Sequence, residues 1–387
     1  MIMKKTHYIV LFFSFVLLLF SCGESKNSNT EIVDKPSTSV FEKQQYATGF
    51  SISYQKGFKV LRVLPDWMDE GKHFDYVLYP KGTEKPHWEN AAAYVETPVS
   101  SIAALSSIFC AHLEAIDGLQ YLSAVDKYEY INSEKVKALC NSGAIKAVGS
   151  GADLNLEVLI DLQPEVCMTF GTGDASYDIH PLLQKTGLPV VVVVDYQEKH
   201  QLGRAEWLKF TAAFLEKENE VDAYFDKVAN SYLRIAEQTK EITTCPKVFV
   251  SAPYSGSWYV SGGDSYTAKI LKNAGACYLW YDVEAQGSLQ LSYEEVYDKA
   301  LEAAFWINTG TWNSKKDAIA ADARNANFLA FKSDNMFNNN ARVNPFGGND
   351  IWESAVVRPD LVLKDLTSIF HPELFPNHKL YYYQHLQ

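Results

Sequence analysis

The chain has 387 residues, 47% of them hydrophobic and 21% charged, with a formal net charge of −12. That composition belongs to a globular chain and not a disordered one, and the length calls for two or three packed units. The acidic balance argues against a nucleic-acid binder, which presents a basic face to phosphates, and no strongly basic stripe occurs after residue 40.

At the N-terminus, Lys4 and Lys5 precede an apolar run from Tyr8 to Phe20 that ends in Ser21-Cys22. The run is shorter than the roughly 20 residues a membrane span needs, so residues 1–22 read as a signal peptide. A cysteine at its end, after a small residue, is the pattern of a bacterial lipobox. The expectation is an exported protein lipidated at Cys22 and held to a membrane by a polar leash over residues 23–45. Of the remaining cysteines, Cys110, Cys140, Cys167, Cys245 and Cys277, none has CxxC spacing, and an odd number leaves at least one unpaired.

Residues 46–95 alternate apolar and polar in the period of strands, as in "FSISYQKGFKVLRVL" with a turn at Lys56-Gly57, and predict a small antiparallel β extension. From residue 96 to 202, apolar strands alternate with helices: "SIAAL", "SIFCAHLEAIDG", "LSAVD", "SEKVKALCNSG", "AVGSG", "NLEVLIDL", "EVCMTF", "IHPLLQKTG" and "LPVVVVVDY". Strands apolar on both faces, each followed by a helix, belong to a parallel α/β sheet. Residues 203–242 predict connecting helices, the last a helix of roughly 20 residues from about Glu220 with apolar positions at Val221, Phe225, Val228 and Tyr232. Over residues 243–387 the alternation resumes in "KVFVSAP", "SYTAKILKNAG", "CYLWYD", "SYEEVYDKAL", "AAFWINTG" and "DLVLKDLTSIF". The fold class is therefore α/β, with two Rossmann-like lobes joined by one long helix and a cleft at the strand C-termini where ligands bind.

No GxSxG, P-loop, HExxH or GxGxxG motif occurs, and the histidines lack ligand spacing. Neither a resident cofactor nor a protein-bound metal is expected. The loops "PYSGSWYVSGGDSY" and "NMFNNNARVNPFGGNDIWES" are rich in aromatics, amides and glycine, which suits a pocket that stacks and hydrogen-bonds a ligand through Trp258, Tyr259, Arg342 and Trp352. Ser106, Tyr128 and Asp195 are the matching strand-end positions of the first lobe. An exported α/β enzyme using Asp126, His180 or Asp195 as acid and base is the reading of a different class.

The series "SSIAALSSIFCAHLEAIDGLQYLSAVD", "VGSGADLNLEVLIDLQPEV", the long helix, "KVFVSAPYSGSWYVSGGDSYTAKILKNAGA" and "LSYEEVYDKA" resembles the substrate-binding proteins of ABC importers for ferric siderophores, haem and cobalamin. The resemblance runs over about residues 96 to 372. It implies a non-enzymatic carrier of an iron complex, with cobalamin as the alternative, whose partners are a membrane permease and its ATPase. It further implies that Glu157 and Glu294, one on each lobe, dock into permease arginines. Each also sits at the second position of a helix behind a good N-cap, Asn155 or Ser292, where the helix dipole alone favours a carboxylate.

Overall fold

The computed structural model describes residues 40–387. Cys22 and most of the leash lie outside these residues. No helix among the described residues is long and apolar enough to cross a membrane.

Five strands open the described chain: β1 (Glu42–Lys43), β2 (Phe50–Gln55), β3 (Phe58–Val63), β4 (Phe74–Pro80) and β5 (Ala91–Thr97), hydrogen-bonded in that order. The sheet thus begins inside the stretch assigned to the leash. It also departs from the antiparallel expectation, because β5 pairs with β4 in parallel. The segment between them crosses the sheet to achieve this, and Trp88 on it donates from Nε1 to Asp75 at 2.8 Å while packing edge-on against Phe41 and Phe58.

The first lobe follows as β6 (Ile102–Ala104), α1 (Ser107–Ala115), β7 (Leu122–Val125), α2 (Glu134–Asn141), β8 (Lys146–Ala147), α3 (Leu156–Leu162), β9 (Val166–Phe170), α4 (His180–Gln184) and β10 (Val190–Val193). All its pairings are parallel, in the order β10-β9-β6-β7-β8. The free edge of β10 faces the extension, where Val192 N–H donates to the buried Tyr76 hydroxyl at 2.9 Å. Covering that edge removes a template for strand addition.

Helices α5 (Gln201–Ala213) and α6 (Glu218–Lys240) connect the lobes. At 23 residues, α6 is about 34 Å long. Its buried stripe, Val221, Phe225, Val228, Ala229, Tyr232, Ile235, Ala236 and Thr239, is the one the helical period requires.

The second lobe contains β11 (Lys247–Val250), β12 (Pro253–Tyr254), β13 (Ser257–Ser261), α7 (Tyr266–Asn273), β14 (Cys277–Tyr278), β15 (Ser288–Leu291), α8 (Tyr293–Ala300) and β16 (Phe305–Ile307). It continues with α9 (Lys315–Ala321), α10 (Leu329–Lys332), β17 (Met336–Asn338), α11 (Ser354–Val357), α12 (Pro359–Phe370) and β18 (Gln384–His385). Its main sheet runs β14-β11-β16-β17-β18, parallel except for the last strand, and β12-β13-β15 form a separate antiparallel sheet. Cys245 and Cys277 are joined in a disulfide, with Cα atoms 5.4 Å apart, tying the start of β11 to β14. Cys110, Cys140 and Cys167 are free thiols.

The lobes share their cores. Val356 and Val357, from the second lobe, pack in the first lobe's apolar cluster, whereas Leu202 and Ala205 of α5 pack in the second lobe's. Buried polar groups cross the same boundary. The Glu353 carboxylate accepts the N–H groups of Asn132 at 2.7 Å and Ser133 at 2.9 Å, and the Asn344 amide donates to the carbonyls of Glu129 and Ile131. On the other flank, the Gln201 amide donates to Tyr266 O and receives the Tyr232 hydroxyl at 3.1 Å.

Burial pushes the Glu353 carboxyl up to about 7, although the two N–H donors favour its charged form. A folded-state value above the unfolded one means that the folded protein holds an extra proton between about pH 4.5 and 7, so stability falls as pH rises through that window. The loss from this one group is on the order of 3 kcal/mol. Urea unfolding of Glu353→Gln across the window should give a flatter profile than the parent protein.

Candidate ligand-binding cleft

In each sheet the chain winds outward from one strand in both directions. The switch lies between β6 and β9 in the first lobe and between β11 and β16 in the second. Beyond the carboxyl ends of such strand pairs the connections part, leaving a crevice for a ligand. In the first lobe the crevice carries Ser106, half-buried at the start of α1 and making no capping bond, and exposed Phe170. In the second lobe the residues just past β11 and β16, Ser251 and Asn308, both have positive φ, at 71° and 56°. Non-glycine residues held there are strained, and such strain gathers at binding sites. Asn308 Oδ1 and the hydroxyl of fully buried Thr309 have no hydrogen-bond partner among the described residues. Neither Ser251, Asn308 nor Thr309 was singled out from sequence, because a strand end that turns left-handed looks like any other loop start.

The wall beside this crevice is the β12-β13-β15 sheet. Ser255 and Gly256, both at positive φ, make the tight turn between β12 and β13. Register then sorts the side chains by face. Trp258 and Val260 point into the core, and Tyr254, Ser257, Tyr259 and Ser261 share the other face with Ser288 and Gln290 of β15. Trp258 is therefore not a ligand contact as expected. It is fully buried, donates from Nε1 to Val250 O at 3.0 Å and packs at a tilt against Phe249 and Trp306 and edge-on against Phe328. Tyr259 remains available at 41% exposed, joined by Tyr254, which sequence reasoning missed.

Among the described residues, three cavities are lined by both lobes, and two of them carry residues that follow the first lobe's strands. One, of about 500 Å³, has Asp126, Lys127, Tyr130 and Gly149 of the first lobe opposite Phe346 of the second. Burial pushes the Asp126 carboxyl up to about 6. Tyr130 lines this cavity in place of the expected Tyr128, which sits two residues earlier in the same single turn. The other, of about 320 Å³, has Tyr196, Gln197 and Lys199 opposite Ser261, Asp264 and Gln286, so it opens onto the tyrosine face of β13.

The remaining assigned residues lie outside these two cavities. Asp195 is buried and held by Arg204 at 2.6 Å, a pairing that offsets the loss of water around both charges and keeps them out of the cleft. Arg342 is bound to Asp350 at 2.5 Å and lies over the Tyr381 ring, yet it also lines a third interlobe cavity, of about 290 Å³, with Glu114 and Ser133 of the first lobe and Glu353 and Arg358 of the second. Trp352 is 52% exposed and lines none of these three cavities. The acid and base reading also fails on geometry. Asp126 and Asp195 follow strands three places apart, roughly 14 Å at the usual interstrand spacing. His180 is packed beside Trp67, and its pKa is lowered by burial.

Glu157 and Glu294 are exposed at the second positions of α3 and α8. Asn155 accepts Val158 N–H at 3.1 Å, and Ser292 forms a complete capping box with Glu295, so neither Glu157 nor Glu294 is needed as a cap. Glu157 has no ion-pair partner among the described residues, whereas Glu294 meets Arg324 at 3.0 Å. That hydrogen bond holds the Glu294 carboxyl below its usual range.

A family model described as periplasmic binding protein matches residues 102–342, from the start of the first lobe through the connecting helices and into the second lobe. The chain belongs to the periplasmic binding protein family. That family is one of substrate-binding proteins and not of enzymes. Two uncharacterized lipoproteins of Methanocaldococcus jannaschii are relatives. One is 31% identical over 62% of this chain and 56% of its own length, so the chain matches about half of that relative, and the other is 23% identical over 96% and 97%. Among solved structures, a possible iron-binding periplasmic solute-binding protein of Staphylococcus epidermidis superposes with a TM-score of 0.57 at 16% identity, over 71% of this chain and all of that one. A periplasmic heme-binding protein of Pseudomonas aeruginosa does so with a TM-score of 0.53 at 16% identity, over 71% and 93%. These superpositions establish the two-lobed fold that the sequence pattern predicts.

The face assignment in this periplasmic binding protein makes two neighbouring residues respond in opposite ways. Trp258→Ala should lower unfolding free energy by about 3–5 kcal/mol through cavity formation. Tyr259→Ala should lower it by less than about 1 kcal/mol, yet weaken ligand binding in a quenching titration.

Proposed function

We propose that this protein is an exported, lipid-anchored solute-binding protein that captures an iron complex, a ferric siderophore or haem, in the interlobe cleft and hands it to an ABC permease. The observation that carries this reading is the cleft itself. A face bearing Tyr254 and Tyr259 stands beside strand ends with strained backbone and unpartnered buried polar atoms. Aromatic faces stack on a flat or bulky complex, and fixed polar groups orient it. The shared cores and the Glu353 clamp support a cleft that changes little on binding. Membership of a substrate-binding family, the lipoprotein names of the two relatives and the Cys245–Cys277 disulfide, a bond of oxidising compartments, support export.

Glu157 and Glu294 are the groups proposed to meet permease arginines through charge-assisted hydrogen bonds. In the free protein Arg324 occupies Glu294, so docking exchanges one arginine for another there, while Glu157 takes up a new partner.

Two measurements test the proposal. An absorption spectrum of the purified protein, followed by tryptophan-quenching titrations with haemin, ferric siderophores and cobalamin, should give tight one-to-one binding of an iron complex; tight binding of cobalamin alone would replace that ligand. Glu157→Lys combined with Glu294→Lys should leave ligand affinity within about twofold and abolish uptake through the cognate permease, and surviving uptake would remove the docking role.

A further inference from the structure

The N-terminal sheet lies outside the segment matched by the family model, which begins at Ile102. Its loop between β3 and β4 nevertheless meets the turns that follow β9 and β10, on the crevice side of the first lobe. Trp67 lies across the first of these turns. A Cβ at Gly171 would meet its ring at 3.2 Å, and one at Gly173, where φ is +80°, would come within 2.8 Å of its side chain. Glycine at both positions is what admits the indole. The rings of Phe74 and His180 pack on it in turn, with centroids 6.0 and 6.2 Å away.

The neighbouring Asp66 holds the turn after β10. Its N–H donates to Gln197 Oε1 at 3.0 Å, and its carboxylate accepts from the Gln197 amide. That amide also donates to the Tyr196 hydroxyl at 3.1 Å, and the hydroxyl donates to Gly171 O at 3.0 Å. The circuit is closed: Trp67 packs on Gly171, Gly171 receives Tyr196, and Tyr196 is bonded to the residue that Asp66 holds. With its hydroxyl engaged as donor and as acceptor, Tyr196 has little freedom to turn. Its ring is still 45% exposed and lines the 320 Å³ cavity, opposite Ser261 and Gln286 of the second lobe. A ligand entering that cavity meets a fixed aromatic face and not a free phenol.

We infer that the N-terminal sheet is a positioning element of the cleft: through Trp67 and Asp66 it fixes Tyr196 as a stacking face for a flat, π-rich part of the ligand. The inference rests on the solute-binding reading above and names the class of ligand surface that one end of the cleft takes. Ordering a free side chain on binding lowers affinity, and a ring already held in place avoids that loss. What such a ring then offers is offset stacking, which an aliphatic chelate cannot match.

The test uses haemin, a flat aromatic iron complex, and ferrioxamine E, a ferric chelate without an aromatic ring, in calorimetric titrations that do not depend on tryptophan fluorescence. The wild type should bind haemin about tenfold or more tightly than ferrioxamine E. Tyr196→Leu, a change at an exposed ring, should remove most of that difference by weakening haemin. Trp67→Ala should weaken haemin about fivefold or more, and Trp67→Phe should restore it to within about twofold. Trp88→Ala is the control for stability alone, since Trp88 packs on the same sheet against Phe41 and Phe58 and lines none of the three cavities. It should lower Tm and leave haemin affinity within about twofold of wild type. Unchanged haemin affinity in either Tyr196→Leu or Trp67→Ala, an equal loss in Trp88→Ala, or tighter binding of ferrioxamine E by wild type overturns the inference and leaves the iron-complex reading standing. Failure of every iron complex to bind removes that reading, and this inference with it.

Discussion

The structure depends throughout on buried carboxylates that collect backbone N–H groups from distant segments of chain. Glu206 and Glu198 hold residues 46 to 49, and Glu353 holds Asn132 and Ser133. Asp365 accepts from Tyr381, Tyr382 and Tyr383. Each joins two pieces that neither helix nor sheet hydrogen bonding could connect. A segment buried without a ladder partner leaves donors unsatisfied, and a carboxylate with two oxygens can satisfy several at once.

These attachments determine what can move. The extension is fastened to α5, the second lobe's α11 is inserted beside α1 and α5, and α6 packs along both lobes. With apolar cores interlocked across the boundary, opening the cleft would expose buried surface on both sides. The shared cores therefore oppose a large separation of the lobes.

Much of this was legible in the sequence because it follows from period and order. Every strand and helix anticipated between residues 96 and 242 is found, since parallel α/β elements announce themselves by apolar runs and helical spacing. The long helix extends from Glu218 to Lys240, close to its expected start. Side-chain destination was less legible. The composition of two loops grouped Trp258, Tyr259, Arg342 and Trp352, but strand register turned Trp258 inward and Tyr259 outward, Asp350 claimed Arg342, and Trp352 was left at the surface. Asp195, a polar residue at a strand end, was drawn into the interior by Arg204.

The sequence by itself determined the α/β class, the two-lobed order and the helix starts at Glu157 and Glu294, because these depend on local periodicity and capping. Tertiary structure alone decided which cysteines pair, that β5 runs parallel to β4 and which face of β13 each aromatic side chain takes. Those outcomes depend on contacts between residues far apart in the chain, where the partner, and not the residue type, decides whether a polar or aromatic side chain is buried or displayed.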